Sequence, residues 1–193
     1  MTVCGILLAA GASTRFGADK LLHALPDGTP IALAAARSLF EALPESVAVV
    51  RSPNSGLAQA LRAEGLRIAV CRDASEGMGR SLAAGVRATP DASGWVVALA
   101  DMPFVRPATI RAVASHIDGA AAVAAPAYRG ERGHPVGFAG SFGAELQALR
   151  GDAGARAILK AHPEWVTLVE VDDRGILLDI DTQSDLPTQA QCP

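Results

Sequence analysis

The feature that most narrows what this chain can fold into is the regular alternation of short apolar runs with stretches rich in Ala and Leu. Residues 3–9 and 95–100 are continuous apolar runs, the pattern of strands buried on both faces rather than on one. Residues 46–51, 67–71 and 120–125 read as further strands. Between them, residues 30–43, 57–64, 79–87 and 107–117 are rich in helix formers. Pro30 and Pro107 stand where a first helical turn tolerates proline. Such alternation predicts an α/β domain whose mostly parallel sheet is covered by helices on both faces.

Beyond residue 126 the order loosens. A polar loop is expected over 128–135, helical stretches over 144–149 and 153–161, and short strands over 166–171 and 176–180. No internal repeat or linker interrupts the 193 residues, so a single domain accounts for the chain. Hydrophobic residues at 50% and charged residues at 19% exclude a disordered chain. No apolar stretch approaches the roughly 20 residues of a membrane span, and no basic segment precedes the first apolar run, so no signal peptide is expected. A net charge of −3 without a Lys/Arg block argues against a nucleic-acid partner. Cys4, Cys71 and Cys192 are far apart and form no zinc pattern. They read as reduced thiols of a cytoplasmic protein.

Ligands of open α/β sheets bind beyond the carboxyl ends of the strands, and the chemically pointed residues fall there. Residues 9–20, AAGASTRFGADK, follow the first strand. Their glycines permit close backbone approach to an anion, and Arg15 and Lys20 bring the charge that phosphate oxygens require. The run is neither a Walker A loop nor GxGxxG, and an ordinary loop with two solvated cations remains the alternative. Asp101 ends the buried strand 95–100. There a carboxylate suits Mg²⁺, which takes oxygen ligands and substrate phosphates, or simply begins a turn before Pro103. Asp179 and Asp181, at alternate positions, would share one face of a strand and offer a second metal ligand; alternatively Asp181 or Thr182 caps a following helix. His134 lies in the Gly-rich segment 129–136, where a lone histidine is as easily structural as functional.

The run LLAAGASTRFGADKLL closely resembles the signature loop LAxGxSxRxGxxK of the molybdenum-cofactor-type nucleotidyltransferases, the MobA-like NTP transferases. The resemblance implies a single three-layer, Rossmann-like domain of the glycosyltransferase-A-like type. In it Arg15 and Lys20 contact the triphosphate as catalytic residues, and Ala9, Ala10, Gly11, Ala12 and Ser13 line the nucleotide. LADMPFV (99–105) matches the family string whose aspartate, here Asp101, binds magnesium. DIDTQSDL (179–186) resembles the family's DIDTPEDL, with Asp181 favoured over Asp179 as second metal ligand. Gly77, Met78 and Ser81 match a segment that in relatives helps enclose the base, although Arg72 stands where the family has asparagine.

RGERGHPV (129–136) resembles the branch that transfers CMP to molybdopterin. It implies an acceptor-side His134, and the match at 149–156 implies an acceptor-side Arg156. The resemblance thus assigns residues 1–105 to the nucleotide and 106–193 to the acceptor. It implies Mg²⁺-dependent transfer of CMP from CTP to molybdopterin with release of pyrophosphate, the product passing to a molybdoenzyme. Ala9-Ala10-Gly11 favours the cytidylyl branch over the guanylyl one. The rivals are a guanylyltransferase, a transferase for another phosphate acceptor, and a non-catalytic carrier of the molybdenum cofactor. A dinucleotide-binding oxidoreductase has the least support, since GxGxxG is missing.

Overall fold

In the computed structural model, which describes residues 2–11, 16, 20–118, 122–152 and 154–186, the apolar runs become the parallel centre of one sheet. Strands β1 (Val3–Leu8), β2 (Ser46–Val50), β3 (Arg67–Val70) and β4 (Gly94–Leu99) lie in the order β3-β2-β1-β4, all parallel. The crossovers are helices α1 (Ile31–Ala42), α2 (Gly56–Ala63) and α3 (Met78–Arg87). Ser55 begins α2 as an N-cap, its Oγ accepting the Ala58 N–H at 3.1 Å.

Helix α4 (Pro107–Asp118) leads into β5 (Val123–Tyr128) and a hairpin partner β6 (Glu131–Arg132). Strand β7 (Val136–Ala139) then inserts antiparallel between β4 and β5. Helices α5 (Gly143–Ala148) and α6 (Arg156–Ala161) precede β8 (Val166–Glu170), which runs parallel to β5 on its other side. Alternate strand residues divide between two cores. Leu7, Ala48 and Val96 pack with α1, α2 and α4, whereas Ile6, Val49 and Val97 pack with α3, α5 and α6. The result is the expected three-layer α/β arrangement with a mostly parallel sheet. Among the described residues no helix is long and apolar enough to cross a membrane.

Two expectations need correction. The polar loop over 128–135 contains the short strand β6, and β7 follows it directly. A Cβ on Gly137, in the middle of β7, would come within 2.9 Å of Val113 in α4, so only glycine lets the helix sit that close. Residues 176–180 are not a strand. A 3-10 turn (Arg174–Leu177) forms where Asp173 Oδ1 accepts the Gly175 N–H at 3.0 Å, and the chain then runs extended to Ile180. Ile180 is buried with Phe16, Leu25 and Ile31, while its N–H is donated to the Asp101 carbonyl at 2.9 Å. Asp179 and Asp181 therefore do not share a strand face. The capping alternative for this segment does form: Thr182 and Asp185 make a capping box on the turn Gln183–Asp185.

Candidate active site

The carboxyl ends of β1 and β4 are adjacent because the two strands pair along their whole length, Leu8 opposite Leu99. The loop after β1 returns through Phe16, which packs on Ile180, to a 3-10 turn that opens on Lys20. Lys20 is thereby delivered beside Asp101, two residues past the end of β4. Its Nζ donates to Asp101 Oδ2 at 2.9 Å and to Asp181 Oδ1 at 3.1 Å. Three segments, 81 and 161 positions apart in the chain, meet at one ammonium. Asp181 is held in turn by its N–H, which donates to Asp185 Oδ2 at 3.0 Å.

The Lys20 side chain is only 9% exposed, against 28% for Asp101 and 46% for Asp181. Burial alone would pull its pKa down. The hydrogen bonds and charges of Asp101 and Asp181 outweigh burial and raise it, so the ammonium stays charged. Two carboxylate oxygens converging on a single cationic atom are a donor set suited to a hard divalent cation, which completes its shell with water and phosphate oxygens. Among the described residues no cluster of three or more His, Cys, Asp or Glu is arranged for a metal. A cation here would thus rest on Asp101 and Asp181 together with the substrate.

Beside this triad opens a cavity of about 470 Å³. Leu8, Leu82, Val97 and Leu99 line its apolar part, and Glu131, Arg132, Asp152 and Asp179 contribute charges. Met78, His134 and Arg156 face the same space, so residues expected on the nucleotide side and on the acceptor side share one cavity. Asp179 lies here rather than on Lys20, which leaves Asp181 as the partner of Asp101.

Burial first, and then the charge of Arg132, hold His134 below the ordinary histidine pKa; Arg156 adds to this while Asp101 and Asp179 oppose it. Its Nδ1 is buried with no hydrogen-bond partner among the described residues. Gly77 lies against the backbone of Gly151, and the Gly79 N–H donates to the Gly151 carbonyl at 2.9 Å. Ser81 is buried in α3 and does not line the cavity, whereas Ala9 and Ala10 are buried and Gly11 is exposed beyond β1. Ala12, Ser13, Arg15 and Cys192 lie outside the described residues.

One residue escaped the sequence reading. Arg51, just past β2, donates Nε to the Ala10 carbonyl at 2.7 Å and so ties down the chain where it leaves β1. The signal was present in SVAVVR, where a cation ends a buried strand next to the one that carries the loop.

Comparison with known proteins agrees with this geometry. The MobA-like NTP transferase domain matches residues 5–166. The chain is similar to the nicotine blue oxidoreductase of Paenarthrobacter nicotinovorans, 35% identical over 190 residues, or 93% of this chain and 92% of that one. It is also similar to the purine catabolism protein PucB of Bacillus subtilis (strain 168), 30% identical over 191 residues, or 94% and 92%. Among solved structures, Rv0371c of Mycobacterium tuberculosis H37Rv superposes with a TM-score of 0.80 at 31% identity, covering 96% of this chain and 95% of that one. The same protein in complex with manganese gives a TM-score of 0.73 at 28% identity, covering 96% of each chain. On the match over residues 5–166 and these relatives, the chain belongs to the MobA-like NTP transferase family.

Proposed function

We propose that the protein is a nucleotidyltransferase that moves CMP from CTP to a molybdopterin-type phosphate acceptor and releases pyrophosphate. The observation that carries this reading is the convergence of Lys20, Asp101 and Asp181 at the strand ends, beside a cavity that His134 and Arg156 line. A phosphate oxygen of the acceptor attacks the α-phosphorus in line; a new P–O bond forms as the bond to the β-phosphate breaks. Lys20 and Arg15 neutralise the charge that gathers on the departing pyrophosphate. Asp101 and Asp181 would hold a divalent cation, magnesium by preference, that draws charge from the α-phosphate when bound. Arg156 offers its guanidinium to the acceptor phosphate, and His134, held neutral, orients the acceptor without adding charge. No covalent enzyme intermediate is needed, since an acceptor that is already a phosphate monoester needs positioning more than activation. Support for a divalent cation comes from the manganese complex of the similar Rv0371c. Support for CTP and for the molybdopterin acceptor is the resemblance of the segments 9–11 and 129–136 to the cytidylyl branch.

The test is to supply purified protein with Mg²⁺, molybdenum cofactor, and CTP or GTP in turn. A cytosine dinucleotide product and pyrophosphate are expected with CTP. Product from GTP alone would move the protein to the guanylyl branch, and no product from either would defeat the reading of molybdopterin as acceptor. A second reading, an oxidoreductase, is favoured only by the name of the Paenarthrobacter relative. Substrate-dependent oxidation of a nicotinamide cofactor, unaffected by Asp101→Asn, would support it.

A further inference from the structure

The triad contains a conflict between two cations. Asp101 and Asp181 converge on a point that Lys20 Nζ takes, 2.9 and 3.1 Å from their oxygens. A divalent cation on the same oxygens would sit closer still, at about 2.0–2.1 Å for Mg²⁺. It and the ammonium repel at such range and cannot share the point. We propose that Lys20 is the built-in competitor of the metal: it holds the two carboxylates in the nucleotide-free protein and passes to the phosphates as triphosphate and cation enter together. This rests on the reading of Asp101 and Asp181 as the metal ligands.

Three observations suit such an exchange. The main chain that carries the two carboxylates is anchored without the lysine: the Asp101 carbonyl accepts the Ile180 N–H at 2.9 Å, and the Asp181 N–H donates to Asp185 Oδ2 at 3.0 Å. The side chains of Asp101 and Asp181 are 28% and 46% exposed, so an incoming ion reaches them while Lys20 lies behind. Lysine is also suited to the move, a point charge on a flexible four-carbon stem rather than a planar fork that must re-register.

Metal and nucleotide must then promote each other's binding, reciprocally, with Lys20 as the source of the coupling. The test measures Mn²⁺ binding calorimetrically in nucleotide-free wild type, Lys20→Met and Lys20→Gln. Binding at least about ten-fold tighter in the variants is expected, within the range usual for coupled sites. Equal or weaker binding in both variants, including none at all, overturns the proposal. A measurement on the wild type alone guards against variants that fail to fold: the ¹⁵Nζ resonance of Lys20 should shift on addition of Mg²⁺ together with inorganic triphosphate. A resonance unchanged with both at about 10 mM, above the weak affinity expected of a two-carboxylate site, overturns the exchange. Neither measurement involves transfer, so a failure to make any nucleotide product would remove the transferase reading and leave this result standing.

Discussion

At the scale of single residues, the site works through side chains whose neighbours decide their charge. His134 is the clearest case. Its folded pKa lies below the ordinary 6.5, chiefly because burial disfavours the imidazolium. The unfolded chain therefore binds the proton more readily, and folding stability rises with pH through this window. The contribution of His134 is complete above pH 6.5 and is lost as pH falls through the folded value. Urea unfolding at pH 7.5 and 5.5 should show wild type losing more stability on acidification than His134→Gln; matching losses would contradict the burial argument. Asp101 accepts the Lys20 ammonium at 2.9 Å, and we propose that it also holds the cation. Asp101→Asn keeps the shape and removes that charge. Steady-state turnover should fall by roughly 100-fold or more, the scale of losing one electrostatic stabiliser, with the circular dichroism spectrum unchanged. Much of this was legible in the sequence, because Lys20 and Asp101 sit in strings tied to the ends of buried strands. That Asp179 and Asp181 do not share a strand face was not, because it depends on a turn that the apolar run ILLDI conceals.

At the scale of elements, two joints hold the site in register. Asp173 is buried and binds three groups: its Oδ2 accepts the Arg106 N–H at 2.9 Å and the Thr109 hydroxyl at 2.6 Å, and its Oδ1 accepts the Gly175 N–H. It caps the start of α4 and bends the chain toward Ile180 in one stroke. Asp173→Ala should destabilise by roughly 2–3 kcal/mol, since buried donors lose their acceptor, as read from the denaturation midpoint. Gly77 is the second joint, with φ at +114° and no room for a Cβ against Gly151. Gly77→Ala should cost about 1–3 kcal/mol for the backbone conformation alone and lower the thermal midpoint accordingly. The first two-thirds of the elements were readable because continuous apolar runs and proline-started helices are strong local signals. Strand β7 was hidden: only four residues long, it follows Pro135 and contains Gly137, and its position is set by β4 and β5 rather than by its own sequence.

At the scale of the molecule, residues 1–105 and 106–193, which we propose to serve nucleotide and acceptor respectively, are joined in one sheet, since β4 of the first half pairs with β7 of the second. Their apolar faces are shared as well, with α4 packed on the same core as α1 and α2. Chemical denaturation followed by tryptophan fluorescence and by circular dichroism should give coincident, single transitions. Separate transitions would mean that the halves fold as independent units. Sequence periodicity foretold the layers but not this bond between halves, which depends on pairing between distant segments. The contact of residues 77–79 with 150–152 adds to it, because it is made by main chain on both sides. What this seam demands of the sequence is glycine at 77 and 79, where a Cβ would strike main chain. On the function proposed above, mutations around the cavity rim can rewrite which base or acceptor is admitted while this glycine seam holds the two walls at a fixed distance, so that the scaffold tolerates drift in substrate taste without relearning its geometry.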